Sequence, residues 1–207
     1  MSSETVATGR ERFLAKLAPY MLADELENVL AAYELAKYGH RGQKRDSGER
    51  YFEHPRAVAE IIIDELELRN DWRIVATALL HDVLEDAWIL SERRLALNFG
   101  RDVALWLRLL TKKPKDGYLE RLREHGSWEV LVVKLCDRLH NLRSLGKCDE
   151  AKQRKQIVET RAHYVPLAEL LIERLPLQDR TRGAYLRESL TERCVAYEAL
   201  LGIPAAE

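Results

Sequence analysis

The sequence contains too few cysteines for a disulfide framework or a zinc ribbon. Its 207 residues include three, Cys136, Cys148 and Cys194, an odd number with wide spacing, whereas both kinds of domain need several paired or closely spaced cysteines. Reduced thiols of this kind are typical of the cytosol. The N-terminus also lacks the basic and then apolar pattern of a signal peptide, so we expect a cytoplasmic protein.

The sequence also lacks an excess of charge of either sign and any long apolar run. Lys and Arg total 33 and Asp and Glu total 34, for a formal net charge of -1, which offers no polybasic surface for nucleic acid. No apolar run approaches the roughly 18 residues that a membrane-spanning helix needs. We therefore expect neither nucleic acid nor a membrane as a partner, and the oligomeric state stays open.

Apolar residues recur at helical spacing through most of the chain, which predicts an all-α fold. The pattern favours a bundle of about eight to ten helices in a single domain over residues 1–207. Residues 149–201 form a C-terminal helical extension that we expect to pack on this bundle, with a dimer surface as the alternative. The remaining predicted helices lie at residues 11–38 with a break near Ala23, from His54 onward, and at about 71–85, 91–99, 103–110, 116–124 and 128–145.

Residues 79–86 place four ionisable side chains in an otherwise apolar helical segment. His81 and Glu85 are four residues apart, as are Asp82 and Asp86, so in a continuous helix each pair lies on one side. Burying so many ionisable groups among leucines is unfavourable unless a cation compensates them. We therefore expect a divalent metal ion beside this segment.

Two imidazoles and two carboxylates are the candidates for one ion: His54, His81, Asp82 and Asp137. Such a mixed nitrogen and oxygen set suits a borderline-to-hard divalent cation such as Mn²⁺, whereas closed structural zinc sites prefer thiolates. On a six-coordinate metal, four protein ligands leave room for water and substrate. Each residue also has a structural alternative, since His54 can simply begin a helix and Asp137 can pair with Arg138 or a distant lysine.

Six motifs follow one another along the chain, at residues 42–49, His54-Pro55, residues 80–86, Phe99-Gly100, residues 110–112 and residues 134–143. In this order they resemble the HD-superfamily hydrolase domain of the RelA/SpoT enzymes and of the small alarmone hydrolases. The resemblance covers about residues 30–145, more than half of the chain. Six ordered motifs are more specific than a His-Asp dipeptide, which many phosphohydrolases share.

This resemblance implies a mainly helical HD fold that holds a single Mn²⁺ at the four residues named above. It implies an enzyme that hydrolyses the 3′-pyrophosphate of ppGpp or pppGpp to GDP or GTP and pyrophosphate. Glu85 and Asp86 match the pair that positions or activates water. Arg45 and Ser47 match a loop that contacts the nucleotide, and Asn141 matches a substrate-contacting asparagine. Residues after about 150 do not resemble the synthetase domain of the long enzymes, so we expect a stand-alone hydrolase.

One position departs from the family pattern, because Asp46 stands where a lysine is usual. This keeps other substrates open, such as (p)ppApp or NADPH, and a non-catalytic nucleotide-sensing module is a further alternative. Lys112 lies at a predicted helix C-terminus, where a cation is favourable in any case, and is a candidate phosphate contact. We expect His40, His125 and His140 to be structural or surface residues.

Overall fold

The fold consists of helices and the turns that join them. The structure, a computed structural model, describes residues 8–46, 48–86 and 91–204. Within these ranges it contains no β-strand, and the only bridge of that kind joins Lys44 to Arg50 in the polar loop. The all-α class predicted from the hydrophobic period is therefore confirmed.

Eleven α-helical segments occur in the described part of the chain. Two of them continue through a π-helical turn, α3 through Ile61–Glu65 and α9 through Thr160–Tyr164 into α10. The segments are α1 Gly9–Ala15, α2 Ala23–Gly39, α3 Glu53–Glu60, α4 Trp72–Leu80, α5 Val83–Asp86, α6 Glu92–Leu110, α7 Tyr118–His125, α8 Trp128–Arg143, α9 Glu150–Glu159, α10 Val165–Arg174 and α11 Arg180–Leu201.

The helix predicted to run unbroken to about residue 85 is interrupted, and that expectation was wrong. Helix α4 ends at Leu80, and α5 begins at Val83 after a turn at His81 and Asp82. The cause is local, because Nδ1 of His81 donates to the carbonyl of Ala78 at 2.8 Å. A side chain that takes a backbone acceptor competes with the helical hydrogen bond to the same group. His81 and Asp82 thus occupy the turn between the two helices.

Several predicted boundaries are confirmed by their local hydrogen bonds. Asp71 accepts from the backbone of Arg73 at 3.0 Å to cap α4, and Ser91 caps α6. Gly100 has a φ of 85° inside α6, a conformation that favours glycine, so the expected helix stop is a kink. Ser127 directly precedes α8, and its side chain makes no capping hydrogen bond.

Helix α8 forms the centre of the bundle and contacts α3, α4, α6, α10 and α11. Its apolar side chains are fully buried from Val130 to Leu142. The same helix also buries charged side chains, among them Lys134 and Asp137. Helices α3 and α4 both contact α8, and the polar part of the core also includes His54 at the start of α3 and His81 and Asp82 directly after α4.

The C-terminal helices pack on the bundle through one face. Helices α10 and α11 contact each other and α8, and Leu167, Leu171, Leu186 and Leu190 are buried there. Val158 and Val195, which belong to the same apolar pattern, are exposed. The packing agrees with the expected extension, while the single-domain assignment stays a prediction. No helix among the described residues is long and apolar enough to cross a bilayer.

The absence of a side chain at Gly183 allows α11 to pack closely against α10. A Cβ added to it would lie 2.8 Å from Cγ1 of Ile172 and 3.1 Å from Cδ1 of Leu175. We expect Gly183→Ala to lower the free energy of unfolding, because overpacking costs about 1–3 kcal/mol and outweighs the gain in helix propensity of at most ~1 kcal/mol. Urea unfolding measures the change. Gly9→Ala in α1, where a Cβ meets nothing within 4 Å, should be neutral or stabilising, and equal stability of the two variants would contradict the packing.

Candidate functional site

The four side chains predicted to bind one ion converge in the structure. Nε2 of His54 lies 3.1 Å from Oδ1 of Asp137 and 3.6 Å from Oδ2 of Asp82. Nε2 of His81 lies 3.2 Å from Oδ2 of Asp82 and 3.8 Å from Oδ1 of Asp137. All four residues are buried, although they come from α3, from the turn after α4 and from α8. The structure therefore brings together every residue of the expected set.

The donor atoms of this cluster fit a metal ion. Nδ1 of His81 donates to the carbonyl of Ala78, which leaves Nε2 as the ring atom that faces the cluster. That Nε2 is buried and has no hydrogen-bond partner among the described residues. Ligand atoms of His54, His81 and Asp137 all lie within 4.8 Å of one another. A histidine whose second ring nitrogen donates to a backbone carbonyl has the orientation that metal ligation requires.

Opposite charges stabilise the buried carboxylates when no cation is bound. Nζ of Lys134, one turn before Asp137 on α8, donates to Oδ2 of Asp137 at 2.8 Å. Burial favours protonation, but Lys134 and the two imidazoles hold the pKa of Asp137 well below its usual value. Burial alone would lower the pKa of His81, whereas Asp82 and Asp137 raise it to about 9. The cluster therefore attracts positive charge, and a divalent ion would replace the proton on His81.

His140 orients His54, one of the predicted metal ligands. The two Nδ1 atoms are 2.8 Å apart, and burial, His54 and Arg45 lower the pKa of His140 to about 3. His140 is thus neutral, and because the Arg45 guanidinium can only donate, Nδ1 of His140 is an acceptor. His54 therefore donates to it from Nδ1 and keeps its Nε2 lone pair for the cluster. Arg45 also donates to Nδ1 of His140, at 3.1 Å. The interpretation of His140 as a structural or surface residue missed this role.

Arg45 and Asn141 connect the polar loop to the cluster. An Arg45 guanidinium nitrogen donates to Oδ1 of Asn141 at 2.6 Å, and Nδ2 of Asn141 donates to Oδ1 of Asp137 at 2.7 Å. The loop folds back on itself, because the backbone of Arg45 donates to Glu49 at 2.9 Å. Two residues predicted to contact the substrate therefore lie beside the predicted metal ligands.

Tyr51, which directly follows the loop, contacts the cluster from another side. Its hydroxyl donates to Oδ2 of Asp82 at 2.9 Å, and its ring stacks on His40 at 4.7 Å. His40 is buried, in agreement with a structural role. The Tyr51 contact fixes one oxygen of Asp82 and was not anticipated from the sequence.

The predicted catalytic and phosphate-contact residues are described only in part. Glu85 lines the cavity above the cluster, and its carboxylate accepts from the backbone N–H of Lys112. Lys112 lines the same cavity. Asp86 is the last residue of α5, but its side chain lies outside the described part of the structure, as does the whole of Ser47. The roles predicted for these residues stay predictions.

The cluster opens into a cavity of about 350 Å³, a volume suited to a small molecule. Its lining includes the carboxylates of Asp82, Asp137 and Glu85 and polar residues such as Asn141 and Gln156. The cationic side chains that line it are Lys44, Arg45, Lys112, Lys147 and Lys152. Such a lining suits an anionic ligand held next to a metal ion.

Comparison with known proteins agrees with this geometry. The model of the HD domain family matches residues 32–171. The chain belongs to the HD domain family. Its His-Asp dipeptide, His81-Asp82, is the pair in the turn after α4. The chain is 35% identical over 164 residues to the bifunctional (p)ppGpp synthase/hydrolase SpoT of Escherichia coli K12 and 36% identical over 178 residues to the GTP pyrophosphokinase rsh of Brucella melitensis.

These relatives are much longer than the matched region. The alignments cover 73% and 80% of this HD-domain chain but 23% and 22% of the two relatives. Among solved structures, a metazoan ortholog of SpoT described as hydrolysing ppGpp matches with a TM-score of 0.63 and 24% identity. That match covers 82% of this chain and 95% of the other, and it shows a common fold. The expected resemblance to SpoT and its relatives is confirmed.

Two of the missed residues could have been found from helical spacing. His140 follows Asp137 by three residues and Lys134 precedes it by three, so both lie near its face of α8. The apolar run around Lys134 also indicated a buried cation that needs a partner. Tyr51 carries no comparable signal, because its contact with Asp82 depends on the folding of the loop.

The histidine pair gives a prediction for metal affinity. Replacing His140 with alanine removes the acceptor that orients His54, so we expect His140→Ala to weaken divalent-metal binding about 10–100-fold. Titration calorimetry with Mn²⁺ measures the affinity. The matched control is His125→Ala at the end of α7, whose side chain is 65% exposed and should leave the affinity unchanged. Equal affinities in both variants would show that His140 does not orient the ligand.

Proposed function

We propose that the protein hydrolyses the 3′-pyrophosphate of (p)ppGpp, releasing pyrophosphate and leaving GDP or GTP. The observation that carries this proposal is the shared cavity, in which the buried cluster of two imidazoles and two carboxylates adjoins five cationic side chains. The names of SpoT and of the metazoan ortholog, together with their similarity to this chain, support the choice of substrate.

The metal ligands in this proposal are His54, His81, Asp82 and Asp137. A divalent ion bound there supplies electrophilic polarisation of the phosphoryl group and makes a neighbouring water more acidic. We propose Mn²⁺ as that ion, since the donor set combines imidazole nitrogen with carboxylate oxygen. His140 and Tyr51 hold His54 and Asp82 in the orientation for ligation.

The other residues position water and the nucleotide. Glu85 lines the cavity with a carboxylate that can accept a proton from the attacking water or orient it, and we propose Asp86 as its companion. Arg45, already oriented by two side chains, neutralises phosphate oxygens through its guanidinium group. Asn141 contacts the nucleotide, and Lys112 contributes a further positive charge at the cavity wall.

The proposal also covers the extent of the domain and its location in the cell. We propose that residues 1–207 form one hydrolase domain and that it acts in the cytoplasm. The contacts of α10 and α11 with α8 support a single unit, and three free cysteines agree with a reducing compartment.

Pyrophosphate release tests the proposed function. Purified protein with Mn²⁺ should release pyrophosphate from ppGpp, and Asp82→Ala should release none because it loses both a ligand and the partner of Tyr51. Coupled detection of pyrophosphate and nucleotide chromatography measure both products. Asp102→Ala, whose side chain is 65% exposed on α6, serves as the control and should keep full activity.

A panel of substrates separates this proposal from its alternatives. Faster turnover of (p)ppApp or NADPH than of ppGpp would move the assignment to another nucleotide. Metal-loaded, folded protein that binds ppGpp but never releases pyrophosphate would contradict hydrolysis and favour a sensing module.

A further inference from the structure

Asp46 forms an ion pair across the mouth of the cavity. Its carboxylate accepts from Nζ of Lys152 in α9, and both residues line the cavity. A second pair of the same kind joins Glu49 of the loop to Lys147 at 2.6 Å, and Lys147 is also a lining residue. The carboxylates of Asp46 and Glu49 therefore form ion pairs with two lysines that line the cavity.

The loop directs neighbouring residues to different parts of the site. Arg45 reaches inward to His140 and Asn141, whereas Asp46, the next residue, reaches outward to Lys152. The fold-back of the loop, closed by the hydrogen bond from Tyr51 to the backbone of Gln43 at 3.0 Å, positions both. Arg45 thus lies next to the cluster, whereas Lys147 and Lys152 are about half-exposed residues of the same cavity lining.

The ion pair between Asp46 and Lys152 is exposed enough for an anionic ligand to replace Asp46. Side-chain exposure is 69% for Asp46 and 44% for Lys152, and solvent screens such pairs strongly. An exposed ion pair is equivalent to at most roughly a fivefold change in an equilibrium constant. A phosphate group carries more charge and more acceptor oxygens than a carboxylate and binds lysine more strongly. An incoming phosphate can therefore displace Asp46.

We infer that Lys147 and Lys152 form a subsite for a second phosphate group of the ligand, and that Asp46 occupies Lys152 as an internal competitor when the ligand is absent. The inference rests on the proposed function only for the identity of the nucleotide. A ligand that carries phosphate at two separate positions would place one group at the metal cluster and the other at these lysines. Asp46 then lowers the affinity for every anionic ligand that needs Lys152.

The test measures binding of inorganic pyrophosphate to full-length protein that has been stripped of metal with EDTA and dialysed. Removing the metal leaves the cationic side chains as the anion-binding groups of the cavity. Asp46→Asn should tighten pyrophosphate binding about two- to fivefold, because the competitor loses its charge. Lys152→Gln should weaken binding roughly three- to tenfold. In the double variant the gain from Asp46→Asn should disappear.

The matched controls come from an ion pair of the same type outside the cavity. Lys16 and Asp64 are joined at 2.5 Å, with side-chain exposures of 37% and 42%, and neither lines the cavity. Asp64→Asn and Lys16→Gln change the net charge by the same amounts and should leave pyrophosphate binding unchanged. If the Asp64 and Lys16 variants change pyrophosphate affinity as much as the Asp46 and Lys152 variants do, net charge alone explains the changes and the subsite is overturned.

Other outcomes also decide the question. Unchanged or weaker binding in Asp46→Asn, or a gain that persists without Lys152, would overturn the competition. Pyrophosphate binding that survives Lys152→Gln unchanged would overturn the subsite. With Mn²⁺ restored, Asp46→Asn should lower the KM for ppGpp by the same factor at unchanged kcat. If no variant turns over ppGpp while the pyrophosphate pattern holds, the proposed function fails and the subsite stands.

Discussion

The structure depends on a group of charged side chains buried where three helices meet. Asp82 and Asp137 lie in the core beside two imidazoles, and the desolvation of two carboxylates is expensive unless positive charge compensates it. Lys134 supplies one compensating charge through its contact with Asp137. The imidazole of His81, whose pKa the carboxylates raise to about 9, supplies another. A divalent cation would take over this second role.

The surrounding residues restrict how the cluster can be arranged. His81 is oriented by a backbone carbonyl, His54 by His140, and Asp82 by Tyr51. For each histidine, the contact at Nδ1 leaves Nε2 facing the cluster. Tyr51 instead contacts Oδ2 of Asp82, the oxygen that itself faces the two imidazoles. The loop residue Arg45 contacts His140 and so couples the polar loop to the cluster. The same hydrogen bonds thus serve the packing of the core and the orientation of the cluster.

Much of the fold and the cluster could be predicted from the sequence. The helical period identified most helices, and the placement of His81, Asp82 and Asp137 in apolar runs indicated buried charge. The break after Leu80 could not be predicted from periodicity, because it depends on which acceptor the His81 ring takes. The contact of Asp46 with Lys152 was equally inaccessible, since it joins residues 106 apart in sequence across a cavity that exists only in the folded chain.

The position of the bound ion tests the central claim most directly. Anomalous diffraction at the manganese edge from crystals grown with Mn²⁺ would locate it. The account predicts one strong peak within ligand distance of His54 Nε2, His81 Nε2, Asp82 and Asp137, with Lys134 still contacting Asp137. A peak bound by other residues, or no peak in crystals of active protein, would contradict it.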